Sequence, residues 1–278
     1  MSNKKFILNA DDFGMSKAVN LAVLKGYNDG FLKSASLCAN GKAFLSAVDE
    51  ILPECPNLSI GVHLNIVEDR PLTQTPLLIN KEKEFKYGFG GLLLKSKKSQ
   101  ILQEIEQEFR AQIERVQKYT QVDHIDSHVH THAIPEIFKI TAKLAKEYNI
   151  PYIRTWHEDF YIVPNIFKHL NFIYPLNILK IIVLNYFTAK NKKTLEEYNL
   201  KTNDFIIGVG YTGLMDDMTV EYGLKTIKSG VAEGIIHPSA DKKSRRYKEF
   251  EITQNRKLEY TIKRLGFEIT NHASLRGA

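Results

Sequence analysis

The chain has 278 residues, 43% hydrophobic and 25% charged, and a formal net charge of +6; these are globular values that exclude a disordered chain and an integral membrane class. Its length suits one large α/β domain, expected over residues 1–278. Basic residues gather only in short runs (81–86, 95–98, 190–193 and 242–248), and helix-turn-helix, zinc-finger and RNA-recognition patterns are missing, so nucleic acid is not an expected partner.

Residues 1–5 run straight into a strand without the apolar stretch and small-residue cleavage site of a secretory signal, which implies a cytoplasmic location. Residues 6–8 form a short buried strand that ends in the polar loop Asn9-Ala10-Asp11-Asp12-Phe13-Gly14. Ser16 then begins a helical pattern through Val19, Val23 and Tyr27. A second strand is expected over 36–39, a helix over 43–51, and a third strand over 58–64 with His63 near its end. Cys38 and Cys55 lack a metal-finger spacing and read as buried structural residues.

Residues 97–119 carry Ile101, Ile105, Phe109, Ile113 and Val116 at helical spacing, one apolar stripe on a long charged helix. This helix leads into a dense run, His124-Ile125-Asp126-Ser127-His128-Val129-His130-Thr131-His132. Pro135 opens the next helix at its first turn. Strands are expected over 151–154, 205–209, 234–238 and 267–269, with helices over 220–228 and 255–265. Alternating strands and helices imply a mainly parallel α/β sheet closed into a deformed (β/α) barrel, with an open doubly wound sheet as the alternative.

Between 158 and 201 the pattern loosens into aromatic and aliphatic residues flanked by lysines, an insertion within the domain. Its apolar stretch, 173–187, is interrupted by Pro175, Asn177, Lys180 and Asn185, and is shorter than the roughly 20 residues that span a bilayer. The insertion reads as a helical lid or a homodimer contact, with membrane-surface association through 178–186 and Lys190 to Lys193 as the alternative.

In an extended segment side chains alternate faces, so His124, Asp126, His128, His130 and His132 would share one face for as long as the strand lasts. Imidazole with carboxylate suits zinc and also harder divalent ions such as magnesium. Any one of these histidines alone could be a polar strand residue. The barrel rule gathers more groups to the same place, because active sites lie at the C-terminal ends of parallel strands. Asp11 and Asp12, His63, His128, Arg154 and His237 all fall there. Singly they read as a helix cap, a hydrogen-bonded core histidine, a surface ion pair or a residue before a turn. Together they read as metal-assisted hydrolysis of an amide. One carboxylate ligates while its neighbour takes a proton from metal-activated water, and His237 protonates the departing amine.

Asn9-Ala10-Asp11-Asp12-Phe13-Gly14, Gly61-Val62-His63-Leu64 and His124-Ile125-Asp126-Ser127-His128, in that order, resemble the YdjC/ChbG family of carbohydrate deacetylases over most of the chain. The resemblance implies a deformed (β/α) barrel that hydrolyses an N-acetyl group from an amino sugar with one divalent metal ion, magnesium or zinc. Mapped by motif, it implies Asp12, His63 and His128 as metal ligands and Asp11 as general base. The segment around His237 is similar to the one holding the family's late histidine, the acid. Arg154 matches an arginine expected to orient the base or contact substrate. Asp126 and His130 are then supporting or substrate-facing residues, and His124 and His132 are structural. Val129 departs from the polar residue many members carry there. The substrate expected is an oligosaccharide or a glycolipid: the 158–201 insertion is larger than expected in members acting on short chitin oligosaccharides and is similar to that of the branch associated with hopanoid lipid biosynthesis, where the acetylated amino sugar is attached to a membrane lipid. A metal-dependent phosphoesterase and a non-catalytic sugar-binding protein are the alternatives. The paired aspartates count against the binding protein, and the shortage of bridging carboxylates against a two-metal phosphoesterase.

Overall fold

The computed structural model describes residues 4–164, 166–169 and 174–276. The expected 158–201 insertion includes residues 165 and 170–173, which lie outside the described residues. In chain order the elements are β1 (Lys4–Phe13), α1 (Lys17–Asn28), β2 (Ser34–Leu37), α2 (Phe44–Ser46) and β3 (Ser59–Leu64), then α3 (Phe89–Lys95), α4 (Ser99–Gln117), β4 (His124–Ser127), α5 (Pro135–Glu147) and β5 (Tyr152–Ile153). They continue with α6 (Tyr174–Tyr198), β6 (Phe205–Ile207), α7 (Asp217–Thr226), β7 (Gly230–Ile236), α8 (Tyr247–Gln254), α9 (Arg256–Arg264) and β8 (Glu268–Thr270). Ser16 caps α1 by accepting from the Val19 amide, as its sequence position implies. The helix expected over 43–51 is instead the single turn of α2 followed by a π-helical segment, Ala47–Ile51.

The strands run in the order β5-β4-β3-β2-β1-β7-β6, with β8 also pairing with β1. Every named ladder is parallel, and the order advances in one sense around the sheet without the reversal of a doubly wound fold, so the sheet curls into a half-barrel, the deformed barrel rather than the flat alternative. A parallel bridge from Tyr152 to Lys201 ties β5 to the segment entering β6.

The outer face is held by helices. The stripe of α4, Ile101, Ile105, Phe109, Ile113 and Val116, is buried throughout. Each such side chain contributes about 2 kcal/mol by burial. The inner face follows from the two-residue strand period and is polar in layers. Ile7, Tyr152 and Leu275 plug the bottom. Asn9, Ser36, His124, Glu233 and His272 form a buried middle, and Asp11, His63, Asp126 and Arg154 crown it. Gly61 makes room in this stack, since a Cβ there would meet the His124 ring at 2.3 Å. His124 in turn stacks on His272 with ring centroids 3.6 Å apart.

Candidate active site

Consecutive strand residues point to opposite faces, so Asp11 and Asp12 could not both reach one pocket from a regular strand. The β1–β2 register shifts between Ala10 and Phe13, and Asp12 takes a left-handed φ of 65°. This bulge turns both carboxyl groups towards His63, at a backbone cost of order 1–2 kcal/mol for a non-glycine residue.

Asp12 Oδ1 lies 2.9 Å from His128 Nδ1 and 3.4 Å from His63 Nε2. His63 Nδ1 meets Asp126 Oδ1 at 2.7 Å, which fixes the ring. Its Nε2 is buried without a hydrogen-bond partner. Asp12, His63 and His128 bring donor atoms within 4.8 Å of one another, and an orphaned imidazole nitrogen facing a buried carboxylate is what a divalent cation site requires. Asp11, His63 and Asp126 are grouped just as closely, but the Arg154 guanidinium already engages both of those carboxylates. The first trio is therefore the better cation site.

Burial works against each charge here and is outweighed. For Asp12 the hydrogen bond with His128 and the nearby His63 and His237 imidazoles win and hold its carboxyl well below the usual range. For His63 the neighbouring Asp126 and Asp12 win, raising the imidazole to about 10. For Asp11 the charge of Arg154, helped by His63 and its own Arg154 hydrogen bonds, keeps the carboxyl well below normal.

Arg154 is fully buried. Its Nη1 and Nη2 donate to Asp11 Oδ2 and Oδ1, each at 2.8 Å, Nη2 lies 2.6 Å from Asp126 Oδ2, and Nε donates to Glu233 at 2.8 Å. Of the two roles expected for it, this geometry suits orienting Asp11. Asn9 donates to Asp11 Oδ1 as well. Of the roughly four lone-pair positions of a carboxylate, these bonds leave one, on Oδ2.

The histidine run departs from its expected single face. β4 ends at Ser127, and Val129 and His130 take left-handed φ values of 51° and 61° inside the turn His128–Ala133. Only His124 and Asp126 share the inner strand face. His128 reaches Asp12 from the strand end, and His132 is pinned between Ser127 Oγ and the Arg154 carbonyl. His130 packs edge-on against Trp156, with ring centroids 4.1 Å apart. Burial and the positive charges of His237 and Lys180 keep it neutral.

His237 follows β7. Its amide donates to Glu249 Oε2 at 2.6 Å and its Nδ1 lies 3.5 Å from the same oxygen. Burial disfavours its charge, but Glu249, Asp12 and Asp11 raise the imidazole above its ordinary value. Four groups are not singled out by the sequence: Arg246, Glu249, Glu68 and Glu233. Arg246 donates to Asp12 Oδ2 at 2.7 Å from within the basic run 242–248, Glu249 buttresses His237, and Glu68 lies 3.5 Å from His128 Nε2. A buried carboxylate on an otherwise apolar strand, Glu233, was the signal that could have flagged the Arg154 network.

The YdjC-like protein family matches residues 5–264. The chain belongs to the YdjC-like family. Over 154 residues this YdjC-like chain is 41% identical to a carbohydrate deacetylase of Brevibacillus brevis, covering 55% of the chain and 60% of that relative. Over 146 residues it is 37% identical to a carbohydrate deacetylase of Geobacillus stearothermophilus, covering 52% of the chain and 57% of that relative. These alignments span somewhat over half the length of the curated relatives. A crystal structure of a proposed cellobiose-phosphate cleavage protein from Enterococcus faecalis V583 superposes with a TM-score of 0.75 at 24% identity, covering 99% of both chains. An uncharacterized Agrobacterium tumefaciens C58 protein superposes with a TM-score of 0.56 at 8% identity, covering 99% of this chain and 90% of that one. Both structures speak for the fold alone.

Proposed function

We propose that the chain is a metal-dependent hydrolase that removes an N-acetyl group from an amino sugar of an oligosaccharide or glycolipid. The observation that carries this reading is the pairing of two adjacent carboxylates with different partners: Asp12 joins His63 and His128 in a cation-sized cluster, while Asp11 is clamped beside it by Arg154. The family match and the carbohydrate deacetylase relatives agree with that chemistry.

Asp12, His63 and His128 would hold the ion, and their one-oxygen, two-nitrogen donor set suits zinc or magnesium. Such an ion, when bound, acidifies water and polarises the amide carbonyl. Asp11, kept ionised by Arg154, accepts the proton of the attacking water on the free position of Oδ2. Asp126 holds the His63 ring in place, as supporting carboxylates do for metal-site histidines. His237, whose imidazole Glu249 raises above its ordinary value, gives a proton to the departing amine nitrogen, so that the C–N bond breaks to a free amine and a carboxylate.

The test is acetate release from N-acetylated monosaccharides, chitin-type oligosaccharides and glycolipids, by protein stripped of metal and then reloaded with zinc or magnesium. Release by the reloaded protein alone is expected. No release from the whole panel would end this reading.

A further inference from the structure

The helix α6 is apolar on two faces. Ile181, Leu184, Phe187 and Leu195 are buried on its inner face. Three asparagines on that side set its rotation, Asn177 donating to the Gly210 carbonyl, Asn185 to that of Glu158 and Asn191 to that of Ala133. The opposite face carries Leu176, Leu179, Ile182 and Tyr186, each more than half exposed. Steps of three and four residues make these one stripe of the helix, and the same spacing continues it into the exposed Lys190 and Lys193. The Lys190 ammonium lies 4.8 Å from the centre of the Tyr186 ring, which joins the apolar and the cationic part. A helix apolar all round is ordinarily a buried helix, so the outer stripe calls for an occupant.

The neighbouring segment widens the patch. Tyr161 and Tyr174 both pack on the Tyr211 ring, with centroids 5.2 and 5.7 Å away. This sets Phe160 and Ile162, 58% and 73% exposed, beside the first turn of α6. From Phe160 to Leu195 the chain has five lysines and no arginine, aspartate or glutamate. The span thus supplies five of the six excess positive charges of the whole chain.

We propose that this outer face of α6 docks on an anionic lipid surface, with the stripe from Leu176 to Tyr186 at the boundary of acyl chains and headgroups and Lys190 and Lys193 at the phosphates. No described helix is long and apolar enough to cross a membrane, so α6 lies in the plane of the surface. A second copy of the chain suits the face less well. An isologous contact presses the patch onto itself, and the span offers its lysines no carboxylate. The proposal is independent of the hydrolase reading but bears on it. Leu176 and Leu179 line one cavity with Val129 and His130, so docking brings the turn that begins at His128 close to the lipid.

The experiment floats the full chain with vesicles of phosphatidylcholine, alone or mixed with phosphatidylglycerol. Binding to the mixed vesicles is expected, and added salt should weaken it. Lys190→Gln combined with Lys193→Gln should weaken partitioning about 25-fold, the product of two losses of about fivefold. Leu179→Ser combined with Ile182→Ser should abolish it, and thermal unfolding near that of the native protein would show that these variants at exposed positions are folded. Absence of binding to the mixed vesicles, or native binding by both double variants, would overturn the proposal. So would a dimer in light scattering that Leu179→Ser with Ile182→Ser dissociates, because a second copy would then be the occupant.

Discussion

Arg154 grips both oxygens of Asp11, from Nη1 to Oδ2 and from Nη2 to Oδ1, in a fully buried fork. The same guanidinium serves Asp126 and Glu233, so one cation orients three carboxylates of the barrel interior. A lysine keeps the charge but cannot make the fork. Arg154→Lys is expected to fold, to keep its metal and to lose about 10- to 100-fold in kcat. Arg154→Met leaves buried carboxylates without their counter-charge and should cost about 3–5 kcal/mol in urea unfolding. A Lys variant with native kcat would remove Arg154 from the positioning of Asp11.

The two aspartates are predicted to separate by function. Asp11→Asn should retain the metal and lose about 10²- to 10⁴-fold in turnover. His63→Ala and His128→Ala should lose the metal itself, because each deletes a donor of the Asp12 cluster. Metal content by mass spectrometry alongside acetate release tells these cases apart. Equal metal loss in all three variants would show that Asp11 is a ligand rather than a base.

Gly61 is predicted to be intolerant of any side chain, because its Cβ position lies 2.3 Å from His124 Nε2. His124 cannot retreat, since it is stacked on His272 and bonded to Ser36. Gly61→Ala should therefore lower stability by about 1–3 kcal/mol, the range for overpacked interiors, and disturb the strand that presents His63. Thermal unfolding checks the first effect and metal affinity the second. An alanine variant with native melting behaviour would mean that the inner stack is looser than its contacts imply.

Glu158 provides a pH test away from the candidate metal centre. It lies fully buried at the start of the insertion, accepting from the Gly208 and Gly210 amides, and burial pushes its carboxyl from 4.5 up to about 7 against their pull. The folded state then binds this proton more tightly than the unfolded state. Between about pH 4.5 and pH 7 unfolding releases a proton, so stability falls as pH rises through that window and levels off above it. The change amounts to about 3 kcal/mol at most. Glu158→Gln should lack this slope. Urea midpoints of the two proteins at several pH values, compared as differences, give the result, and parallel profiles would show that the amides keep Glu158 ionised throughout.

Much of the architecture is legible in the residues because it is local. The α4 stripe from Ile101 to Val116, the Ser16 cap and the apolar strands each depend on neighbours within a few positions, and periodicity reports them directly. Strand ends bearing Asp11, His63, His128 and His237 point to one rim once the sheet is known to be parallel. The histidine run shows where this reasoning stops. Alternation predicts five polar groups on one face, yet left-handed Val129 and His130 end the strand geometry after four residues, and this conformation has no clear signature in side chains that ordinarily avoid it.

The sequence by itself determined the parallel α/β plan, the candidate residues and the family motifs that carry them. Only the tertiary structure decided their partnerships. The bulge at Asp12 turns neighbouring carboxylates to one pocket, Arg154 closes on Asp11 across 143 positions, and Arg246 reaches Asp12 across 234. Local propensity is silent about such pairs. They form because curling the sheet forces buried charges from distant strands into one low-dielectric interior, where each must find a counter-charge or hydrogen-bond partner.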